Sequence, residues 1–79
     1  MIFKLKGKSF NLEKEEVVKA MKNVEPERIS KYYVEIHGRK YPIKQVIAQM
    51  LKVLRISFTS MDAYNILNRL GFEIYEEKK

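Results

Sequence analysis

The sequence predicts an α+β fold: a small antiparallel sheet of three to four strands with three helices, in the order β-α-β-β-α-α-β. Three observations predict it. Apolar and polar residues alternate in short runs near the start, the middle and the end of the chain. Three longer stretches place apolar residues at helical spacing. Turn and cap residues, among them Gly38, Pro26, Pro42 and Gly71, punctuate the boundaries. With 79 residues there is room for one domain, residues 1–79, and none for a second core.

The opening segment, residues 2 to 10, sets Phe3 and Leu5 on one face around a Lys6-Gly7-Lys8 turn and reads as a short strand or small hairpin. Asn11 is placed to cap a first helix over about residues 12 to 24. The acids Glu13, Glu15 and Glu16 suit its positive end, and Val17, Val18, Met21 and Val24 form its buried stripe. Pro26 stops it. Tyr32, Val34 and Ile36 then share one strand face, and His37-Gly38 supplies a tight turn, so a hairpin is expected with strands near 32–36 and 39–41. Pro42 opens a second helix over about 43–54, where Ile43, Val46, Ile47, Met50, Leu51 and Leu54 make a wide apolar stripe. Thr59-Ser60-Met61-Asp62 resembles a capping box, with Phe58 before it as a staple residue. Ala63, Ile66, Leu67 and Leu70 form the buried face of a third helix, which Gly71 ends in a left-handed cap with Phe72 packed back on Leu67. Residues 72 to 75 alternate like a strand that joins the central hairpin, and residues 76–79 are expected to fray.

Composition narrows the function. There is no cysteine, so disulfides and thiolate metal sites are excluded, and His37 is the lone histidine. No apolar run approaches the ~18 residues of a membrane span, and the N-terminus lacks the apolar stretch of a signal peptide. The expectation is an intracellular, cytoplasmic chain without a membrane partner. Its Lys, Glu and Ile content with no cysteine also suits a thermophile. The net charge is +6 and unevenly spread: residues 1–12 carry +3, 13–35 carry −1, 36–72 carry +5 and 73–79 carry −1. A basic block beside an acid-balanced remainder is the asymmetry of a polyanion binder; a solvated lysine-rich surface gives the same totals.

Enzyme readings fail on residue types. One histidine, one aspartate and no cysteine leave no metal triad or cysteine nucleophile, and three glycines make no phosphate cradle. No catalytic residue, metal or cofactor is expected. The second and third helices with their Arg55-Ile56-Ser57-Phe58-Thr59 connection instead form a loose helix-turn-helix-like unit, its connection longer than usual. The third helix turns out Ser60, Tyr64, Asn65, Asn68 and Arg69. Asn65, Asn68 and Arg69 fall on one stripe, and these are the side-chain types that make bidentate contacts to adenine and guanine edges. Any exposed helix also needs polar residues, but asparagine is a poor helix former and two on one helix suggest a task. The densest basic patch is Arg39, Lys40 and Lys44 at the hairpin–helix junction, where Lys44 opposes the helix macrodipole and so does not serve helix stability. Tyr33, on the other face from Tyr32, offers a ring for base stacking or for packing on a second sheet face. His37 is read as a turn residue that tolerates positive φ.

From Tyr33 through Gly38-Arg39-Lys40-Tyr41-Pro42-Ile43-Lys44, then Phe58-Thr59 and Leu70-Gly71-Phe72-Glu73-Ile74, the chain resembles the N-terminal head module of McrA-like, modification-dependent restriction endonucleases. The resemblance spans about the last three-fifths of the chain. It implies a DNA-contacting accessory module in which Arg39, Tyr41 and Lys44 match the distinctive positions. These 79 residues depart from the endonuclease pattern in leaving no room for a nuclease domain among them, so cleavage is not expected of them.

The leading expectation is therefore a non-catalytic DNA-binding module, with DNA favoured over RNA. Lys4, Lys6, Lys8, Arg39, Lys40, Lys44 and Arg55 are expected on phosphates, and Asn65, Asn68 and Arg69 on bases. Six neutralised phosphates give a slope of log affinity against log salt of about −5. The alternative is a protein-interaction module or small subunit on a larger nuclease or polymerase, with a homodimer blending the two. Its sign would be Ile56, Phe58 and Met61 left uncovered after folding.

Overall fold

A computed structural model describes residues 1–78 of the chain and has the expected α+β class, with three α-helices and two small antiparallel sheets. The opening segment is a full hairpin. β1 (Ile2–Leu5) pairs with β2 (Lys8–Asn11), and Phe3 and Leu5 are buried beneath it. β3 (Tyr32–Ile36) lies at the centre of the second sheet, between β4 (Arg39–Pro42) and the two-residue β5 (Tyr75–Glu76). Both hairpins turn through residue pairs with positive φ, Lys6-Gly7 and His37-Gly38, the geometry that matches strand twist in a two-residue loop. His37 takes φ 56°, as its reading as a turn residue requires.

Helix α1 is shorter than the apolar stripe suggests, running Lys14–Ala20 before a single 3-10 turn over Met21–Asn23. Asn11 is not its cap. The hairpin ladder pairs Asn11 with Ile2, and the Leu12 N–H then donates to the Met1 carbonyl at 2.9 Å, so the chain stays extended past residue 12. Glu13 is the residue before the helix, and the Glu16 carboxylate accepts from its N–H at 3.0 Å.

Helix α2 (Ile43–Leu51) also ends early. Lys52 enters the left-handed region at φ 55°, and Leu54, expected on the buried stripe, is exposed. Helix α3 (Ser60–Leu70) matches the sequence reading at both ends. Thr59 Oγ1 accepts from the Asp62 N–H at 3.1 Å, and the Asp62 carboxylate accepts from the Thr59 N–H at 2.9 Å. At the other end Gly71 adopts φ 100°. Its N–H donates to the Asn68 carbonyl and that of Phe72 to Leu67, closing a Schellman motif with Phe72 and Leu67 both buried.

The last strand begins later than alternation implies, because the cap holds Phe72 against the core and pairing starts only where Tyr75 meets Tyr33. Residues 76 and 77 are tied down: Glu76 pairs with Tyr32, and the Glu77 N–H donates to the Lys31 carbonyl at 2.6 Å. Of the segment expected to fray, Lys79 lies outside the described residues.

One core joins these parts. Val17 and Met21 from α1, Val34, Ile36 and Tyr41 from the sheet, Val46 and Ile47 from α2, and Ala63, Ile66 and Leu67 from α3 are all buried in it. The opposite face of the sheet carries Tyr33, Glu35, Lys40 and Tyr75 and is open to solvent. Among the described residues no helix is long and apolar enough to cross a membrane.

Candidate nucleic-acid interface

Helix α3 presents a polar stripe between two clefts. Asn65, Asn68 and Arg69 are exposed while Ala63, Ile66 and Leu67 face the core. Tyr64, expected on the outward face, instead leans edge-to-face on Tyr32 with ring centroids 5.3 Å apart and is half-buried, since a large ring gains from any apolar neighbour in reach.

The first cleft, of about 140 Å³, lies between β1 and α3. Phe3, Lys4 and Leu5 line one side, and Asp62, Asn65, Ile66 and Arg69 the other. Lys4, from the far end of the sequence, is thereby set beside two of the expected base-facing residues. The Asp62 carboxylate in this cleft is engaged in the α3 cap.

The second cleft, of about 290 Å³, lies at the opposite flank of α3, against its first residue Ser60. At 3.6 residues per turn, Ser60 and the pair Asp62 and Arg69 point to nearly opposite sides of the helix. Arg28, Lys31, Lys44 and Arg55 line this pocket with Tyr32, Pro42 and Gln45, and no carboxylate is among the lining residues.

The wall that carries Arg28 and Lys31 is an irregular strap, residues 24–31, between the first helix and β3. Buried side chains pin it. Gln45 is only 4% exposed, and its amide is used at both ends: Oε1 accepts from the Glu27 N–H at 2.9 Å, and Nε2 donates to the Glu25 carbonyl at 2.8 Å. The Tyr41 hydroxyl sits 2.7 Å from the Val24 carbonyl and 2.9 Å from that of Met21, sharing its proton between them. Arg39 reaches the same Val24 carbonyl at 3.4 Å. The Glu27 carboxylate pairs with Arg55 across the pocket rim, and the hydrogen bond from that guanidinium holds Glu27 below the usual carboxylate range.

The SCO5918-like family model matches residues 5–79, from the last residue of β1 to the end of the chain. The chain belongs to the SCO5918-like family. No curated protein and no solved structure matches it.

In this SCO5918-like domain the basic residues of the sequence reading sort into groups. Lys4 joins Asn65 and Arg69 at one cleft, and Lys44 joins Arg55 at the other. Lys6 and Lys8 are exposed around the first hairpin turn, and Asn68 is exposed on α3. The patch expected from Arg39, Lys40 and Lys44 is divided, because neighbouring strand residues face opposite sides. Arg39 opposes Ile36 and turns toward the strap, whereas Lys40 opposes Glu35 on the open sheet face. There the Lys40 ammonium lies 5.2 Å from the Tyr33 ring centroid. Tyr75 stacks on that ring from the other strand, with centroids 5.4 Å apart. Tyr33 is thus packed between neighbours, the second of its two readings. Tyr75 donates to the Glu73 carboxylate at 2.9 Å, which pushes its phenol above the ordinary range. The His37 ring is engaged too: Nε2 donates to the Val18 carbonyl at 2.7 Å. Tyr41, one of the distinctive positions of the McrA-like resemblance, is fully buried and holds the strap.

Arg28 and Lys31 were not singled out from the sequence. They sit in a block whose net charge is −1, and averaging over that block concealed them. Three of its acids, Glu13, Glu15 and Glu16, belong to the start of α1, away from the pocket. The signal that would have found them is the pair Arg28 and Lys31 between Pro26 and the following strand.

Proposed function

We propose that this chain is an intracellular, non-catalytic module that binds nucleic acid, double-stranded DNA in preference to RNA. The observation that carries the reading is the distribution of positive charge about α3. Lys4 stands at one flank, with Lys6 and Lys8 exposed around the turn of the same hairpin, and Lys44 and Arg55 with Arg28 and Lys31 stand at the other. The exposed stripe of Asn65, Asn68 and Arg69 runs between them. Phosphate contacts on both sides of a helix fix its register over a groove, and side chains on the stripe then meet base edges. The resemblance to the McrA-like head module supports the same reading through Lys44.

The test is a two-dimensional amide NMR titration with a short duplex at two salt concentrations. Salt-sensitive shifts concentrated on residues 4–8, 43–45, 55–61 and the exposed positions of α3 are the expected result. Shifts spread evenly over every lysine, including Lys19 on α1 and Lys22 on the 3-10 turn after it, would reduce the reading to unspecific charge.

A second reading has an observation in its favour. Leu54, Ile56 and Met61 are exposed at 73%, 92% and 56%, grouped about the helix connection, although Phe58 beside them is buried. Such grouping marks protein contact surfaces. If these side chains meet a second copy of the chain, sedimentation at rising concentration shows a dimer that Ile56→Ser abolishes. A monomer at all concentrations leaves the DNA reading alone.

A further inference from the structure

We infer that the pocket between the strap and the first turns of α2 and α3 binds a phosphomonoester: the terminal phosphate of a nucleic-acid strand or a free phosphate ester. The inference rests on the nucleic-acid reading only for the source of that phosphate. Four cationic side chains converge on about 290 Å³ from three separate segments: Arg28 and Lys31 from the strap, Lys44 from α2 and Arg55 from the helix connection. Like charges gathered with few acids repel one another; among the described residues Glu27 pairs with Arg55 at the rim, and Glu77 shares a neighbouring cleft with Arg28.

The arrangement is held rather than incidental. Gln45, buried and bonded at both ends of its amide, fixes the strap across the end of α2 and so sets Arg28 and Lys31 opposite Lys44. The Lys44 ammonium lies 5.2 Å from the Phe58 ring centroid at the pocket wall, a position the helix macrodipole does not favour. Helix α2 has no acid in its first turn and no side chain capping it, so an anion in the pocket would meet uncovered N–H groups as well as the four cations.

The charge count selects the kind of phosphate. A backbone diester carries one negative charge, while a monoester carries about 1.5 to 2 at neutral pH and offers three acceptor oxygens. Against the three cations beyond the Glu27–Arg55 pair, the monoester leaves the smaller excess of positive charge and the diester the larger. Tyr32 and Pro42 add an apolar side to the pocket, against which the attached sugar or base would rest.

Three titrations at constant ionic strength test this: inorganic phosphate alone, a short duplex with 5′-phosphates, and the same duplex with 5′-hydroxyls. The expected result is that inorganic phosphate shifts amides of residues 28–31, 43–45 and 55–60, and that the phosphorylated duplex binds about ten-fold tighter than the hydroxyl one, the worth of one charge-assisted contact. Arg28→Gln and Lys31→Gln each remove that advantage, whereas Lys22→Gln, an equal charge change elsewhere, keeps it. Pocket shifts with inorganic phosphate but no binding of either duplex support the pocket, assign a free phosphate ester and sink the DNA reading. Equal affinity for the two duplexes, together with pocket amides that inorganic phosphate does not move, overturns the inference.

Discussion

Tyr41 carries a structural burden that its neighbours in sequence do not. Its ring is fully buried, and its hydroxyl serves carbonyls of the 3-10 turn and of the strap. Tyr41→Phe keeps the packing and takes one donor from each carbonyl, leaving the Val24 N–H on that of Met21 and the 3.4 Å contact from Arg39 on that of Val24, an expected loss of about 1 kcal/mol. At this chain length each kcal/mol lowers the midpoint by about 4–8 °C, which thermal unfolding followed by circular dichroism measures. An unchanged midpoint would show that water replaces the hydroxyl freely. Glu27 gives a second prediction. Its folded pKa lies below the unfolded value because Arg55 donates to it. The pair therefore contributes stability above the unfolded pKa and loses it as pH falls through the folded one. Carbon-detected NMR should place the Glu27 midpoint below that of an ordinary glutamate, and Arg55→Ala should return it to the ordinary range. Neither role was legible in the sequence. Alternation identifies which face a tyrosine takes, but the carbonyls it serves come from a loop that no periodicity describes.

Elements whose ends are written in local chemistry were the legible ones. The cap of α3 needs only Thr59 and Asp62, three residues apart, and its C-terminus needs only a glycine able to take φ 100°; both ends fall where the sequence reading set them. The hairpin turn at His37-Gly38 is equally local. Helix α2 shows the reverse. Leu54 continues the apolar period from Leu51, yet Lys52 turns left-handed and the chain leaves the helix, because the 3-10 turn over Arg55–Ser57 must bring Phe58 into the core. That decision is tertiary. The same holds at the start of α1, where pairing across the first hairpin overrides a good cap residue at Asn11. Thr59→Ala tests how much the α3 cap contributes. The expected cost is about 1 kcal/mol, with the amides of Met61 and Asp62 exchanging faster while those of α2 stay protected. Equal loss across all three helices would mean that α3 unfolds only with the whole domain.

At the scale of the whole molecule, the question is which of the sixteen basic residues act together. Sequence reading supplied the candidates, and the fold decides their grouping, since it alone brings Lys4 to α3 and sets Lys40 on the far side of the sheet from α2. Five side chains of that set remain candidates for phosphate: Lys4, Lys44 and Arg55 line the clefts at α3, and Lys6 and Lys8 are exposed around the first hairpin turn. Each phosphate neutralised on a duplex contributes about 0.9 to the slope of log affinity against log salt, so five predict about −4.5 for a duplex with 5′-hydroxyl ends. The sharper prediction is in the variants. Lys44→Gln should flatten the slope by about 0.9, with affinity falling alike for all sequences, as befits a phosphate contact. Lys40→Gln removes the same charge and should leave the slope where it was, because Lys40 stands beside Glu35 on the open sheet face, away from α3. Arg69→Ala should also change which duplex sequence is preferred, since a base contact carries discrimination that a phosphate contact does not. If Lys40→Gln and Lys44→Gln flatten the slope equally, binding follows total charge, and the grouping about α3 has no part in it.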